Sequence, residues 1–510
     1  MDYDAIVIGT GIGGSVAAAV LAGEGLRVLV VEKNSRVGGI CAAYDKQGFH
    51  VDIGTHLFSR GKHGPLGRLT RRLGLPAIPF VQPRDLALVC GFGGRLVLPR
   101  DRRRLPVFLL SAIRELKLSP REVVQATRFF REILLFDEAR LPELDRMTMW
   151  EFVTRYTENP RLVGLLGFIL GLYFILPLSL VSAGEGVWCF KHMAWDYGLS
   201  YPLGGAVTVP RRFLECAEAH GAEVLTDKRV ERIIVEGRAV RGVECADGSD
   251  YAAPVVIGTT SLKDHVEHLV GAEHFPPSYA ERVRGLKSSM VAVQAKFALR
   301  KPLVKAGCVV GVMAQDFDVN GLELGDLERM YQHVQDGEIA PITPIYAPVP
   351  SNFDPSLAPP GRQLITACAV APTTDIALKD DSQAWTKNLE LAMQSLVPGL
   401  EAELLWVDTL STEAVGRWIG KLNAPAVSTG QTPDQVGNRR PPVHTPILGL
   451  YVAGCAAGAR GVGTELAAAS GEEAADRVVQ DVSNGLIPRA GTRLVLALRK
   501  GALPRDAAAE

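Results

Sequence analysis

Three glycines and one acid, arranged as Gly9-x-Gly11-x-x-Gly14 with Glu32 further on, are the residues whose types and spacing most directly imply chemistry. The first glycine permits a tight turn, the second lets backbone approach a pyrophosphate, and the third lets a helix close on a strand. A helix starting at this loop, near Ile12 and Gly13, turns its free N–H groups and the positive end of its dipole toward the phosphates. The Glu32 carboxylate can accept hydrogen bonds from both hydroxyls of a ribose. Together they imply binding of a dinucleotide. A lone G-x-G-x-x-G is a weak signal, since an ordinary turn can carry it; strand, glycines, helix, strand and acid in register are a strong one.

The elements that must position these residues are legible beside them. Residues 5–8 form a short apolar run that predicts a buried parallel strand, an Ala-rich helix is expected over 13–24, and a second strand over 28–31 ends at Glu32. Eight scattered cysteines, without C-x-x-C or a His cluster at metal-ligand spacing, give no metal site and read as free thiols of a reducing cytoplasm. A net charge of −1 gives no reason to expect nucleic acid. The N-terminus enters the first strand directly, so no signal peptide is expected.

Beyond Glu32 come Lys33, then Arg36-Val-Gly38-Gly39, and GFHVDIGTH over 48–56. Residues 201–261 begin Tyr-Pro-Leu-Gly204-Gly205 and run through an amphipathic helix (Val209, Phe213, Leu214, Ala217), strands at 229–235 and 239–245, and a buried strand at 255–257. At 445–480 a strand (449–453) runs through a glycine-rich turn into a last helix. These three blocks resemble the FAD-binding flavoprotein family that includes phytoene desaturases, carotenoid isomerase-like proteins, amine oxidases and protoporphyrinogen oxidase. The resemblance implies an α/β fold: a discontinuous Rossmann-like FAD-binding domain with a mixed α+β substrate domain. It implies FAD as cofactor, with Arg36, Gly38 and Gly39 along the pyrophosphate and flavin, Val230 at the adenine end, and Gly454, Gly461, Val462 and Gly463 at the flavin end. The last helix's N-terminus would stabilise negative charge on the reduced ring. Cys455 departs from the pattern, because relatives often place an acid there for the ribityl chain.

The expected organisation is an FAD domain from 1–90, 201–285 and 441–485, a helical cap at 91–200, a mostly antiparallel substrate sheet at 286–440, and a tail at 486–510. Two apolar runs in 85–99 flank Gly-Phe-Gly-Gly and predict a hairpin. Four arginines lead the apolar segment at 100–116, which reads as a helix on a membrane surface or a solvated basic face beside a core helix. The uncharged run 162–184 is long enough to span a bilayer, but one span would put parts of the FAD domain on opposite sides; a buried cap helix lining an apolar channel or a segment dipping into one leaflet fits better. The tail, with LIPRAGTRLVLALRKGAL, is a peripheral-membrane segment or a plain terminal helix.

No second glycine fingerprint for NAD(P)H is present, so electrons are expected to pass through oxygen, a quinone, a protein partner or transiently bound nicotinamide. The middle of the chain offers apolar and aromatic surface (Phe168, Tyr173, Phe174, Trp188, Phe190, Trp195) and few acids or bases. The expectation is an FAD-dependent oxidoreductase acting on C–C bonds of an apolar, isoprenoid-like substrate by hydride transfer at flavin N5: desaturation, saturation or isomerisation. Alternatives are an amine oxidase of the same fold and a non-enzymatic prenyl-lipid carrier of the GTPase dissociation inhibitor type. The candidate catalytic groups are His56, Lys296 and Glu465. His56 can instead satisfy a backbone carbonyl, Glu465 can simply complement a helix dipole, and Lys296 on the alternating run VAVQAKFAL reads as an ordinary surface lysine, although amine oxidases keep one near N5. A cytoplasmic protein, with a membrane surface as a partner, is the expected setting.

Overall fold

The apolar run at the start forms strand Ala5–Ile8, wholly buried, and the residues after the glycine loop form helix Ile12–Gly23. The computed structural model describes residues 2–54, 57–91, 94–314 and 323–490. Apolar on all sides, the first helix is buried on all sides, packed between helices Thr208–Ala219 and Gly463–Ser483. A Cβ at Gly471 would lie 2.3 Å from the Gly13 carbonyl, so only glycine permits this crossing.

A five-stranded parallel sheet carries the FAD-domain elements, in the order Leu450–Val452, Val256–Gly258, Ala5–Ile8, Val28–Val31, Glu223–Leu225. Its strands come from three distant stretches, as expected, with the ends of two displaced by a residue or two from their predicted positions. Helices cover one face; the antiparallel strands Val230–Glu236, Ala239–Cys245 and Asp250–Ala252 cover the other, where Ile6 and Leu29 meet Ile233 and Val243. Burial on both faces is why these strands read as continuous apolar runs.

The second sheet has seven strands in the order Leu404–Leu410, Val291–Leu299, Gln363–Ala371, Ile342–Pro348, Cys308–Ala314, Asp85–Gly91, Gly94–Pro99. All neighbours pair antiparallel except Cys308–Ala314 with Asp85–Gly91. The hairpin expected at 85–99 therefore belongs to this sheet, and the boundary placed at residue 90 falls inside it.

Between the sheets' sequence segments lies a helical cap. The apolar run 162–184 supplies helix Pro160–Phe174, whose Leu162, Leu166, Leu170 and Phe174 are buried. It ends where Ile175 takes a left-handed conformation, two residues before Pro177. Of the readings open for this run, the buried cap helix is the one found, and no helix among the described residues is long and apolar enough to cross a membrane. By contrast, helix Leu105–Glu115 buries none of its residues, and Val107, Leu109 and Leu110 are exposed. Residues 491–510, the greater part of the expected tail, lie outside the described residues.

Candidate active site

The glycine loop forms a cradle. Gly9 leaves its strand with φ of 98°, and a Cβ on Gly14 would lie 2.0 Å from the Gly9 carbonyl, so the helix starts in contact with the turn. Gly11 differs: its φ of −63° suits any residue, and a Cβ there would meet no atom within 4 Å. Nothing in the fold demands glycine at that point, and the bare Gly11 backbone is left open to a ligand. No side chain caps the helix and no acid occupies its first turn, leaving its N–H groups for an anion. Gly38 and Gly39 both have positive φ and close over the loop: Gly38 N–H donates to Thr10 Oγ1 at 3.0 Å, and a Cβ on Gly39 would sit 3.1 Å from Gly11 Cα.

Glu32 is buried and held by four donors. One carboxylate oxygen accepts from Thr10 N (3.0 Å) and Thr10 Oγ1 (2.6 Å), the other from Asn34 N and Nδ2 (both 3.0 Å). Val230 begins the strand just beyond, where Lys228 N–H donates to the Glu32 carbonyl at 2.8 Å. The charged neighbours turn to the protein itself: Lys33 Nζ donates to the Arg417 carbonyl (2.5 Å) and Arg36 to the Ala43 carbonyl (2.7 Å). Trp418 Nε1 donates to the Gly39 carbonyl at 2.8 Å, fastening helix Thr412–Ile419 over the glycine pair.

At the other end of the cradle, a Cβ on Gly13 would come within 3.0 Å of Gly454, which follows strand Leu450–Val452. The last helix, Gly463–Ser483, begins after Val462 without a side-chain cap, and no atom lies within 4 Å of a Cβ on Gly463. Gly461 N–H donates to Glu185 Oε2 at 3.1 Å. Glu185 is fully buried, with Arg460 at 3.4 Å and Arg440 at 3.6 Å, and Arg460 grips Asp145 through two bonds of 2.9 and 2.6 Å. Burial pushes the Glu185 carboxyl upward while the two arginines pull it down. This cluster, which ties cap helix Ala183–Asp196 to the glycine turn, has no signature in the sequence. Cys455 donates its thiol to the Gly463 carbonyl at 3.3 Å and supplies no acid for a ribityl chain.

The candidate catalytic groups separate. His56 lies outside the described residues. Lys296 is not on the surface: it is fully buried on the second strand of the seven-stranded sheet, opposite Thr366 and Asp408, and donates to Gln294 Oε1 at 2.7 Å. Alternation along the strand does not expose it because both faces are covered. Burial lowers its ammonium to about 8, partly offset by the charge of Asp52. Asp52, also buried, is raised to about 6 by burial. It accepts from the Tyr201 hydroxyl and from Ala206 N–H (3.2 Å), which the positive-φ pair Gly204–Gly205 presents to it. Glu465 is buried in the first turn of the last helix, bonded to Ser59. Sequence reasoning missed Asp52, Tyr201 and Ser59 as partners; the Tyr-Pro-x-Gly-Gly turn was the one available signal.

An open glycine cradle at Gly11, a buried acid at the end of the second strand, and an uncapped second helix make up a candidate dinucleotide-binding site. The family model described as flavin containing amine oxidoreductase matches residues 12–479. The chain belongs to that family; it is an FAD-dependent oxidoreductase. Prolycopene isomerase of Arabidopsis thaliana is 25% identical over 465 residues, covering 82% of this chain and 73% of the relative. Human all-trans-retinol 13,14-reductase is 25% identical over 326 residues, 57% of this chain and 52% of the relative. Among solved structures, an oxidoreductase from Methanosarcina mazei superposes with a TM-score of 0.68 at 18% identity, covering 92% of this chain and 98% of the other. Putrescine oxidase bound to putrescine gives 0.66 at 15%, covering 94% and 99%, a likeness of fold alone.

Proposed function

We propose that this protein acts on C–C bonds of an apolar, isoprenoid- or carotenoid-like substrate by desaturation, saturation or isomerisation. The bound FAD supplies a hydride acceptor or donor at its N5. The protein's part is to hold the cofactor with the two glycine turns and to orient a substrate carbon between the sheet carrying Lys296 and the cap. The observation that carries the reading is the cap: from Leu162 to Gly184 it presents no charged side chain, and its helix is buried against the substrate sheet. The names of the relatives, an isomerase of one polyene and a reductase of another, support it. An amine oxidase is the weaker reading: Tyr451, the one aromatic residue of the 445–465 stretch, is buried and donates to Asp481 at 2.5 Å, which leaves the Trp188 ring, 3.3 Å from a Cβ on Gly461, as an aromatic at that turn. Anaerobic mixing of the oxidised and the reduced holoenzyme with carotenoids, retinoids and amines tests the proposal. Spectral conversion of the flavin by polyenes supports it; conversion by amines alone refutes it.

A membrane surface is the route proposed for such a substrate. Helix Leu105–Glu115 exposes Val107, Leu109 and Leu110, and the exposed arginines Arg102, Arg103 and Arg104 precede it. Arg102 donates to the Trp195 carbonyl (2.6 Å), and Trp195, itself exposed, donates to Leu134 (3.1 Å), which joins this face to exposed Phe130 and Leu135. An apolar face rimmed by arginines matches an anionic bilayer.

A further inference from the structure

Two hydroxyls and a carboxyl from separate parts of the chain meet beside the first turn of the last helix. Ser59 Oγ lies 2.8 Å from Glu465 Oε1 and 2.9 Å from the Tyr173 hydroxyl. Ser59 and Glu465 are buried; Tyr173, on the cap helix, is half-buried. Tyr346, on the substrate sheet, is near enough to interact with Tyr173 electrostatically. Cap, sheet and FAD domain thus converge on this row of oxygens. The cap–domain contact alone would be served by apolar packing; a carboxyl, a hydroxyl and a phenol in series do more, because such a series conducts protons.

Hydrogen-bond direction in the row depends on one proton. When Glu465 is ionised it accepts from Ser59, Ser59 accepts from Tyr173, and the phenol proton is committed to Ser59. When Glu465 is protonated it donates to Ser59, Ser59 donates to Tyr173, and the phenol O–H is released to point elsewhere. We propose that Glu465, Ser59 and Tyr173 form a proton relay in which Tyr173 protonates a substrate carbon, so that the site is built for saturating a C=C bond. The inference rests on the polyene reading of the site above. In the step, one alkene carbon takes a hydride and its neighbour takes the Tyr173 proton. Both electrons come with the hydride, from cofactor reduced beforehand by a two-electron donor of the nicotinamide class. The phenolate regains a proton from Ser59, Ser59 from Glu465, and the Glu465 carboxylate from solvent.

The surroundings favour the loaded state. Burial raises the Glu465 carboxyl, opposed by the bonds from Ser59 and the Arg60 backbone and by the Arg60 charge, while Asp196 adds to the rise. Arg60 is neutralised by Asp196 at 2.7 Å, and Cys189 on the same helix as Asp196 is buried and held as a thiol. Tyr173 is pushed well above the usual phenol range by burial, with Glu465 and Cys189 adding to it, so it enters the step protonated. A desaturating enzyme would need the reverse, an empty acceptor at this position.

The test uses oxidised and dithionite-reduced holoenzyme, with all-trans-retinol as the probe. The variants are Tyr173→Phe, Ser59→Ala and Glu465→Gln, each checked for wild-type flavin absorbance and melting. In infrared difference spectra without substrate, a protonated-carboxyl band should titrate out above the ordinary carboxylate range, vanish in Glu465→Gln, and shift in Ser59→Ala and Tyr173→Phe. With reduced enzyme, dihydro-product formation should fall about 100-fold or more in Tyr173→Phe, the scale of a lost general acid. The wild-type rate should decline as pH rises through the Glu465 titration, and that decline should be absent in Glu465→Gln. A band that titrates as an ordinary carboxylate, or turnover of Tyr173→Phe within twofold of wild type, overturns the relay. Wild type inert toward retinol and other polyenes, with the band and its shifts as expected, overturns the polyene reading and supports the relay as a proton store.

Discussion

Replacing Glu32 by Ala tests whether the acid is the hinge pin of the cofactor loop as well as a ribose ligand. It removes four acceptor positions, those for Thr10 N, Thr10 Oγ1, Asn34 N and Asn34 Nδ2. Asn34 is partly exposed and water can replace its two bonds, whereas Thr10 is fully buried and its two donors are left unpaired. Hydrogen bonds to a charged group contribute ~1.5–3 kcal/mol each, so the Thr10 pair alone puts the local loss at ~3 kcal/mol or more. At 1.4 kcal/mol per decade, that is about two decades in the opening equilibrium. Hydrogen exchange on the apoprotein reads it directly: the Thr10 amide should exchange about 100-fold faster in Glu32→Ala. FAD affinity, from titration of apoprotein, should fall by at least ~tenfold in addition. Unchanged exchange with weakened affinity would mean that the acid meets only the ribose and that the four-donor arrangement does not form. Unchanged exchange and unchanged affinity would reduce Glu32 to a strand-end residue and sink the reasoning altogether.

Gly11→Val should give a folded, colourless protein that no added FAD turns yellow, because the side chain enters space the fold leaves empty; a yellow variant refutes the cradle. Burial holds Lys296 at about 8, so between about 8 and the ordinary lysine value the folded chain binds fewer protons than the unfolded one and stability rises with pH. Lys296→Met should abolish that rise in melting temperature and remove any flavin-absorbance titration near pH 8; persistence of both would place the titrating group elsewhere. Anionic vesicles should sediment the protein at low salt, and changing Arg102, Arg103 and Arg104 to Ala should weaken this by about 1 kcal/mol per residue. Leu109→Ser with Leu110→Ser should remove the salt-resistant remainder, and a protein that stays in the supernatant at every salt concentration overturns the docking face.

The nucleotide ends were legible because glycine geometry is local: a loop needing positive φ at Gly9 and bare backbone at Gly11 writes both needs into one short stretch. The buried strands were legible for a like reason: the apolar run 28–31 marks a wholly buried strand to the residue. What the sequence hid is long-range. Nothing at Asp85–Gly91 says that its inner partner is Cys308–Ala314. The alternation around Lys296 suggested one wet face, yet its strand has neighbours on both sides and buries both faces. The Glu185–Arg440–Arg460–Asp145 cluster joins residues hundreds of positions apart, and buried ion pairs leave no periodicity.

The order of strands in the parallel sheet also bears on how the chain comes off the ribosome. Strand Ala5–Ile8 is finished first, but its neighbour Val256–Gly258 emerges some 250 residues later, and Leu450–Val452 pairs beside that strand only after almost 200 more. Until then the nascent chain carries an open parallel edge, the kind of unpaired row that invites pairing with another chain. Contacts of such sequence separation also make folding slow. A translation stall or nonsense codon upstream of residue 450 would therefore release an aggregation-prone fragment in place of a partly active enzyme.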